Sequence, residues 1–122
     1  MKPTLDQEKE LLLLAAKAMG IEGTPETDED GLVHIVLRRK SDTGRHFVYY
    51  WNPLHSAEQL NEMCAELDID TVWSLSMHGT VYCASFKYDL CEANEHYSDH
   101  ESKSKAAAWA ALRVAGEIGR MK

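Results

Sequence analysis

The apolar positions of the first twenty residues recur with a helical period. Leu11, Leu14, Ala15 and Ala18 fall on one face, and Leu12 and Leu13 widen it. Thr4 and Gln7 stand at capping-box spacing and Gly20 offers a left-handed stop, so the pattern predicts a helix from about Leu5 to Met19. Residues 21–31 then break the period with a polar stretch punctuated by Gly and Pro, which reads as a mobile connection. Leu32-Val33-His34-Ile35-Val36-Leu37 is apolar at nearly every position, as in a strand covered on both faces. The turn cluster Ser41-Asp42-Thr43-Gly44 follows, and Arg45 to Trp51 returns as an aromatic-rich strand, which makes a β-hairpin.

Pro53 ends that strand, because it lacks an amide donor and forces Asn52 away from helical geometry. Ser56-Ala57-Glu58-Gln59 repeats the capping-box spacing, and Leu60, Met63, Cys64 and Leu67 give the stripe of a second helix. Thr71 to Met77 alternates, with Val72, Ser74 and Ser76 on one face and Trp73, Leu75 and Met77 on the other. His78-Gly79 supplies a turn and Thr80 to Tyr88 a return strand. Asp89 to Ser98 reads as an acidic loop. Ser98-Asp99-His100-Glu101 has capping-box spacing again, so the last helix is expected over about Asp99 to Gly119, with Ala108, Ala111, Leu112, Ala115 and Ile118 buried and Gly116 a packing position. The order α-β-β-α-β-β-α predicts an α+β fold in one domain, 1–122: a mainly antiparallel four-stranded sheet with helices on both faces, hence a three-layer α-β-α sandwich.

Composition narrows the function. At 122 residues and 44% apolar the chain can bury a core of its own. The longest apolar run, Leu11 to Ala16, is far short of a membrane span, and the start of the chain carries no signal-peptide pattern, so a cytoplasmic protein is expected. Three cysteines without C-x-x-C pairing fit a reducing compartment. A net charge of −7 is the wrong sign for a phosphate-backbone binder. The carboxylates gather in residues 26–30 and 89–101, where acidic loops keep a small protein soluble.

Trp51-Asn52-Pro53-Leu54 and the closing run Ala110 to Gly119, together with the opening Leu/Ala helix, resemble a family of small phage and prophage proteins described as the phage α-β-α sandwich domain. The resemblance implies a fold and a bacterial-host setting; no catalytic or binding residue comes with it. Relatives often continue Trp-Asn-Pro-Leu with acidic residues, where His55-Ser56-Ala57 stand in this chain.

Several constellations are candidates for chemistry. Cys91, His96 and His100, with Cys83 nearby, have spacings used by zinc ligands, although an ordinary polar loop before a helix explains them as well. Cys83 and His78 lie on facing arms of the second hairpin, but no oxyanion donor set accompanies them. Ser102-Lys103-Ser104-Lys105-Ala106-Ala107 resembles the closing helix start of double-stranded-RNA-binding domains, but those domains have three strands without an intervening helix, unlike the order expected here, and this chain is acidic. The aromatics Tyr49, Tyr50, Trp51, Trp73, Tyr82 and Trp109 are too many for so small a core, and any that group on the surface would mark a protein interface. Trp51, Asn52, His55 and Trp109 are accordingly the candidate partner-binding residues, with Trp51-Asn52-Pro53-Leu54 itself read first as a structural corner. The expectation is a non-enzymatic phage or prophage accessory protein, free of cofactors, that binds a host or phage protein, with a second copy of itself left open as partner. The alternatives are a metal- or nucleotide-binding module built on residues 83–101, and double-stranded nucleic-acid binding at the closing helix.

Overall fold

The computed structural model describes residues 3–73, 79–85, 87–88 and 91–122. Helix α1 spans Leu5–Ala18. Thr4 Oγ1 accepts from the Gln7 amide at 3.2 Å and Gln7 Oε1 accepts from the Thr4 amide at 2.8 Å, so the predicted capping box forms in full. Gly20 closes the helix at φ 72°. Leu11, Leu12, Ala15, Ala16 and Ala18 are buried, whereas Leu13 points outward.

The polar connection after α1 contains a strand. β1, Thr24–Thr27, pairs antiparallel with β2, Val33–Lys40, and β2 pairs antiparallel with β3, His46–Trp51, so the first sheet has the order β1-β2-β3. β1 is an edge strand, which is why Pro25 is tolerated in it and why its polar side chains gave no strand pattern. Gly23 lets it approach closely: a Cβ there would stand 2.8 Å from both the Ile35 side chain and the Val36 carbonyl. The core covers only the first half of β2. Val33, Ile35 and Val36 are buried, while Arg38, Arg39 and Lys40 run out with β3 into solvent.

Helix α2, Ala57–Glu66, is capped by Ser56, whose hydroxyl accepts from the Gln59 amide at 3.2 Å. It is followed by Asp68 in left-handed geometry at φ 51°. β4 (Ile69–Trp73), β5 (Thr80–Ser85) and β6 (Cys91–His96) form a second antiparallel sheet in the order β4-β5-β6. The expected strand end at Ser74 to Met77 and the turn residue His78 lie outside the described residues. The expected acidic loop is in large part β6: Cys91, Ala93 and Glu95 turn inward and Glu92, Asn94 and His96 outward, an alternation hidden because the inward set includes a carboxylate. A 3-10 turn, Tyr97–Asp99, leads to α3, Lys103–Met121. Its cap is Ser102, which accepts from the Lys105 amide at 3.1 Å, and not Ser98, which lies within the 3-10 turn.

The fold is thus α+β, with three helices and two three-stranded antiparallel sheets in place of the single four-stranded sheet expected. The three-layer expectation is corrected as well. α1 packs on β1 and β2, α3 packs on the second sheet, and α1 and α3 pack directly on each other, so no sheet separates them. The buried side chains of both sheets join one apolar cluster. Among the described residues no helix is long and apolar enough to cross a membrane.

Small residues set the α1–α3 distance. Ala108, Ala111, Leu112, Ala115 and Ile118 are all buried, as the periodicity predicted, and so are Ala106, Ala110, Val114, Gly116 and Gly119. A Cβ on Gly119 would stand 2.0 Å from the Leu14 carbonyl oxygen, whereas one on Gly116 would stand 3.0 Å from the mobile end of the Leu11 side chain. The two glycines should therefore respond differently to the same change. Gly116→Ala gains about 1 kcal/mol of helix propensity against a contact that Leu11 can relieve, and it should shift stability by less than about 1 kcal/mol. Gly119→Ala must push two backbones apart and should lose about 2–3 kcal/mol in denaturant unfolding. Equal effects of the two changes would contradict this helix crossing.

Candidate functional site

The Trp51-Asn52-Pro53-Leu54 corner is built around the Asn52 side chain, which is 2% exposed. Asn52 Nδ2 donates to the Val33 carbonyl at 2.6 Å, and Asn52 Oδ1 accepts from the Leu54 amide at 2.7 Å. The Asn52 amide donates to Gln59 Oε1 at 2.7 Å, and Gln59 Nε2 donates to the Tyr50 carbonyl at 2.9 Å. Gln59 therefore clamps the strand end and leaves the Ser56 capping box half made. With Trp51 and Leu54 also buried, Trp51 and Asn52 have little surface to offer a partner.

His55, at the outer end of the corner, lines a cleft of about 340 Å³ together with Leu54, Glu8, His100, Lys105 and Trp109. The fold thus brings the partner candidate His55 to the partner candidate Trp109 and the metal candidate His100, which lie some 45 residues or more further along the chain. Lys105 Nζ donates to the Leu54 carbonyl. Partial desolvation holds the His55 imidazole below its ordinary value. The Lys105 charge and then His34 add to this, against Asp28 and Glu101, which pull upward. His34 lies 6.5 Å from His55 between ring centroids, and its Nε2 is 3.2 Å from Asp28 Oδ2.

The metal candidates do not converge. Cys91 and His96 stand at opposite ends of β6 on opposite faces, about 16 Å apart along an extended strand. His100 Nε2 is 3.0 Å from Glu95 Oε1, and its ring stacks on Trp109 with centroids 6.0 Å apart. Glu95 Oε2 lies 3.1 Å from Arg113 Nε, so this carboxylate ties the turn before α3 to the helix itself. Among the described residues no three His, Cys, Asp or Glu side chains gather within reach of one ion. Cys83 is fully buried, and burial raises its thiol despite the Thr71 hydroxyl at 3.3 Å, an environment unlike that of an activated nucleophile. Its supposed partner His78 lies outside the described residues. Burial likewise pushes the Cys64 thiol up to about 11.

A second surface was only half visible in the sequence. Leu37, Phe47, Tyr49 and Trp51 floor an open groove of about 470 Å³ on the face of the β2–β3 hairpin beyond α1, with Arg39 and Lys40 on its rim. Phe47 is 44% exposed, Val48 45%, Tyr49 58% and Tyr50 59%, so apolar side chains stand in solvent on both faces of β3. The signal was there: a strand reading His-Phe-Val-Tyr-Tyr has no polar face to give to water.

No family model matches the chain, and no curated protein or solved structure matches it either.

Two expectations test this description. Asn52→Ala strips the Val33 carbonyl and the Leu54 amide of buried partners and should cost about 2–4 kcal/mol in urea unfolding. A loss below 1 kcal/mol would mean that the corner does not depend on this side chain. For His55, the depressed folded-state value means that the unfolded chain takes up the proton first. Its contribution is therefore complete above the ordinary value of 6.5 and is lost as pH falls below it. His55→Gln should flatten the fall of melting temperature on that acid side. An identical acid profile would remove His55 from the cause.

Proposed function

We propose that this chain is a non-enzymatic, protein-binding accessory module whose docking surface is the β2–β3 hairpin. The observation that carries the reading is the contiguous exposure of Phe47, Val48, Tyr49 and Tyr50 on a strand with apolar side chains on both faces. Isolated apolar residues are normal on surfaces; a run of four beside a groove is characteristic of an interface, and Tyr anchors are favoured there. The phage or prophage setting and the bacterial cytoplasm rest on the resemblance of the Trp51 to Leu54 corner and the closing helix, and interference with host defence or participation in phage assembly would suit such a protein.

A second reading gains one observation. Between α2 and α3 three strands run without an intervening helix, which is the strand count of double-stranded-RNA-binding domains. Against it, Lys105 is held by the Leu54 carbonyl and the chain carries a net charge of −7. Salt-dependent binding of an RNA duplex of about 16 base pairs, lost in Lys103→Ala, would favour that reading.

The docking reading is tested with a photo-crosslinking phenylalanine analogue placed at Tyr49 in the full chain, irradiated in bacterial lysate with and without phage infection. Discrete protein adducts are expected, together with their absence when the analogue replaces Glu117, exposed on α3 and lining a cleft that holds no residue of the hairpin. Equal labelling at both positions, or none at Tyr49, would overturn it.

A further inference from the structure

The two edges of the first sheet are finished differently. β1 carries Pro25, and its Glu26 carboxylate clasps the Arg38 guanidinium through two hydrogen bonds, devices that discourage further pairing. β3 carries no proline, and the Gln59 side chain occupies its edge only at the end next to α2. The Tyr50 carbonyl, held by Gln59, marks the outward phase of the strand. By the alternation of an antiparallel ladder, the amide and carbonyl groups of Val48 and His46 and the amide of Tyr50 then face away from β2. None of these groups has a hydrogen-bond partner among the described residues.

We propose that this edge pairs with the same edge of a second copy of the chain, antiparallel and centred on Val48, joining the two hairpins into one continuous sheet. The inference rests on the docking reading and names its partner. Val48 is the middle of the three outward-facing residues, so centring there gives the longest overlap. In that register Val48 meets its own counterpart and Tyr50 lies opposite His46 on one face. On the groove face Phe47 lies opposite Tyr49 twice over, an aromatic cross-strand pair of the kind that stabilises sheets. The second copy's aromatics then cover the groove over Leu37 and Trp51.

Charge selects the same register. The hairpin tip carries Arg39, Lys40 and Arg45, none of them paired with a carboxylate among the described residues. α2 carries Glu58, Glu62 and Glu66, all exposed, and has no Lys or Arg. Gln59 ties the first turn of α2 to Tyr50, so antiparallel pairing brings the basic tip of each copy to the acidic start of α2 of the other. A parallel pairing would set the basic tips together. The complementarity therefore belongs to a two-fold arrangement of identical chains.

The test is sedimentation equilibrium of the full 122-residue chain from about 1 to about 100 µM, with the mass expected to rise from 13.8 kDa to twice that value. Val48→Pro deletes an amide that no intrachain bond uses, at an edge position where proline is tolerated, and should stay monomeric with an unchanged melting temperature at the lowest concentration. Lys40→Glu with Arg45→Glu should weaken self-association at least about tenfold, and adding Glu58→Lys with Glu62→Lys should restore it. A wild-type mass of 13.8 kDa throughout, or a dimer indifferent both to Val48→Pro and to the charge reversal, would overturn the proposal. The Tyr49 crosslinker separates the two readings: adducts only to other proteins leave the docking surface standing and remove self-pairing, whereas no adduct removes both.

Discussion

The contact on which the rest depends is the crossing of α1 and α3. Each helix serves a different sheet, α1 the first and α3 the second, so their contact joins the two sheets in one core, with α2 as a further link through β4 and α3. Contact this close needs residues without side chains at the crossing, and Gly119, whose missing Cβ leaves room for the Leu14 carbonyl, supplies it. Glycine inside a helix costs about 1 kcal/mol relative to alanine, a penalty that packing two helices at backbone distance can offset. The alanine-rich composition of α3 follows from the same requirement: a helix buried on three sides between a sheet and another helix has room for methyl groups but little more, apart from Leu112, Val114 and Ile118.

The Asn52 corner performs the complementary task of turning the chain from β3 into α2 while holding β2. One amide side chain bonds to a carbonyl at the start of β2 and to the amide two residues ahead, and Gln59 reaches back from the helix to the strand. A corner held at both ends keeps the base of the hairpin rigid while its outer half stands clear of the core. For the proposed docking at the hairpin, a base held this way would lower the conformational cost, because the strand is already extended.

The three helices and four of the strands were legible from periodicity, since each places apolar residues where the core needs them. β1 and β6 were not. Thr-Pro-Glu-Thr and Cys-Glu-Ala-Asn-Glu-His are edge strands whose outward residues are polar, and their identity is fixed by pairing with β2 and β5, which a single sequence does not display. The cap of α3 illustrates the same limit. Ser98 and Ser102 both precede the helix, but the 3-10 turn and the Glu95–His100 contact place the start at the second. The site was legible in part. The surplus of aromatics implied exposed ones, and Tyr49 and Tyr50 are exposed, but Trp51 of the same run is buried because the core ends at that residue. Cys91, His96 and His100 form a cluster only if the stretch is a loop; an extended strand sets Cys91 and His96 at its two ends, and His100 follows beyond the 3-10 turn.

The net charge hides a local reversal of sign. The chain carries −7, yet its most apolar exposed surface ends in Arg39, Lys40 and Arg45, with Asp42 the one carboxylate in the turn between them. At physiological ionic strength exposed charges act over roughly 8 Å, so a docking strand experiences the local sign and hardly the total. The total still matters for solubility: mutual repulsion between acidic bodies opposes indiscriminate association through an open edge. An exposed edge on a neutral protein invites unlimited stacking, whereas an edge with one basic end beside an acidic helix favours a single antiparallel match that uses up both edges. On the proposed pairing, the charge distribution would set a stoichiometry that hydrophobic exposure alone would leave unlimited.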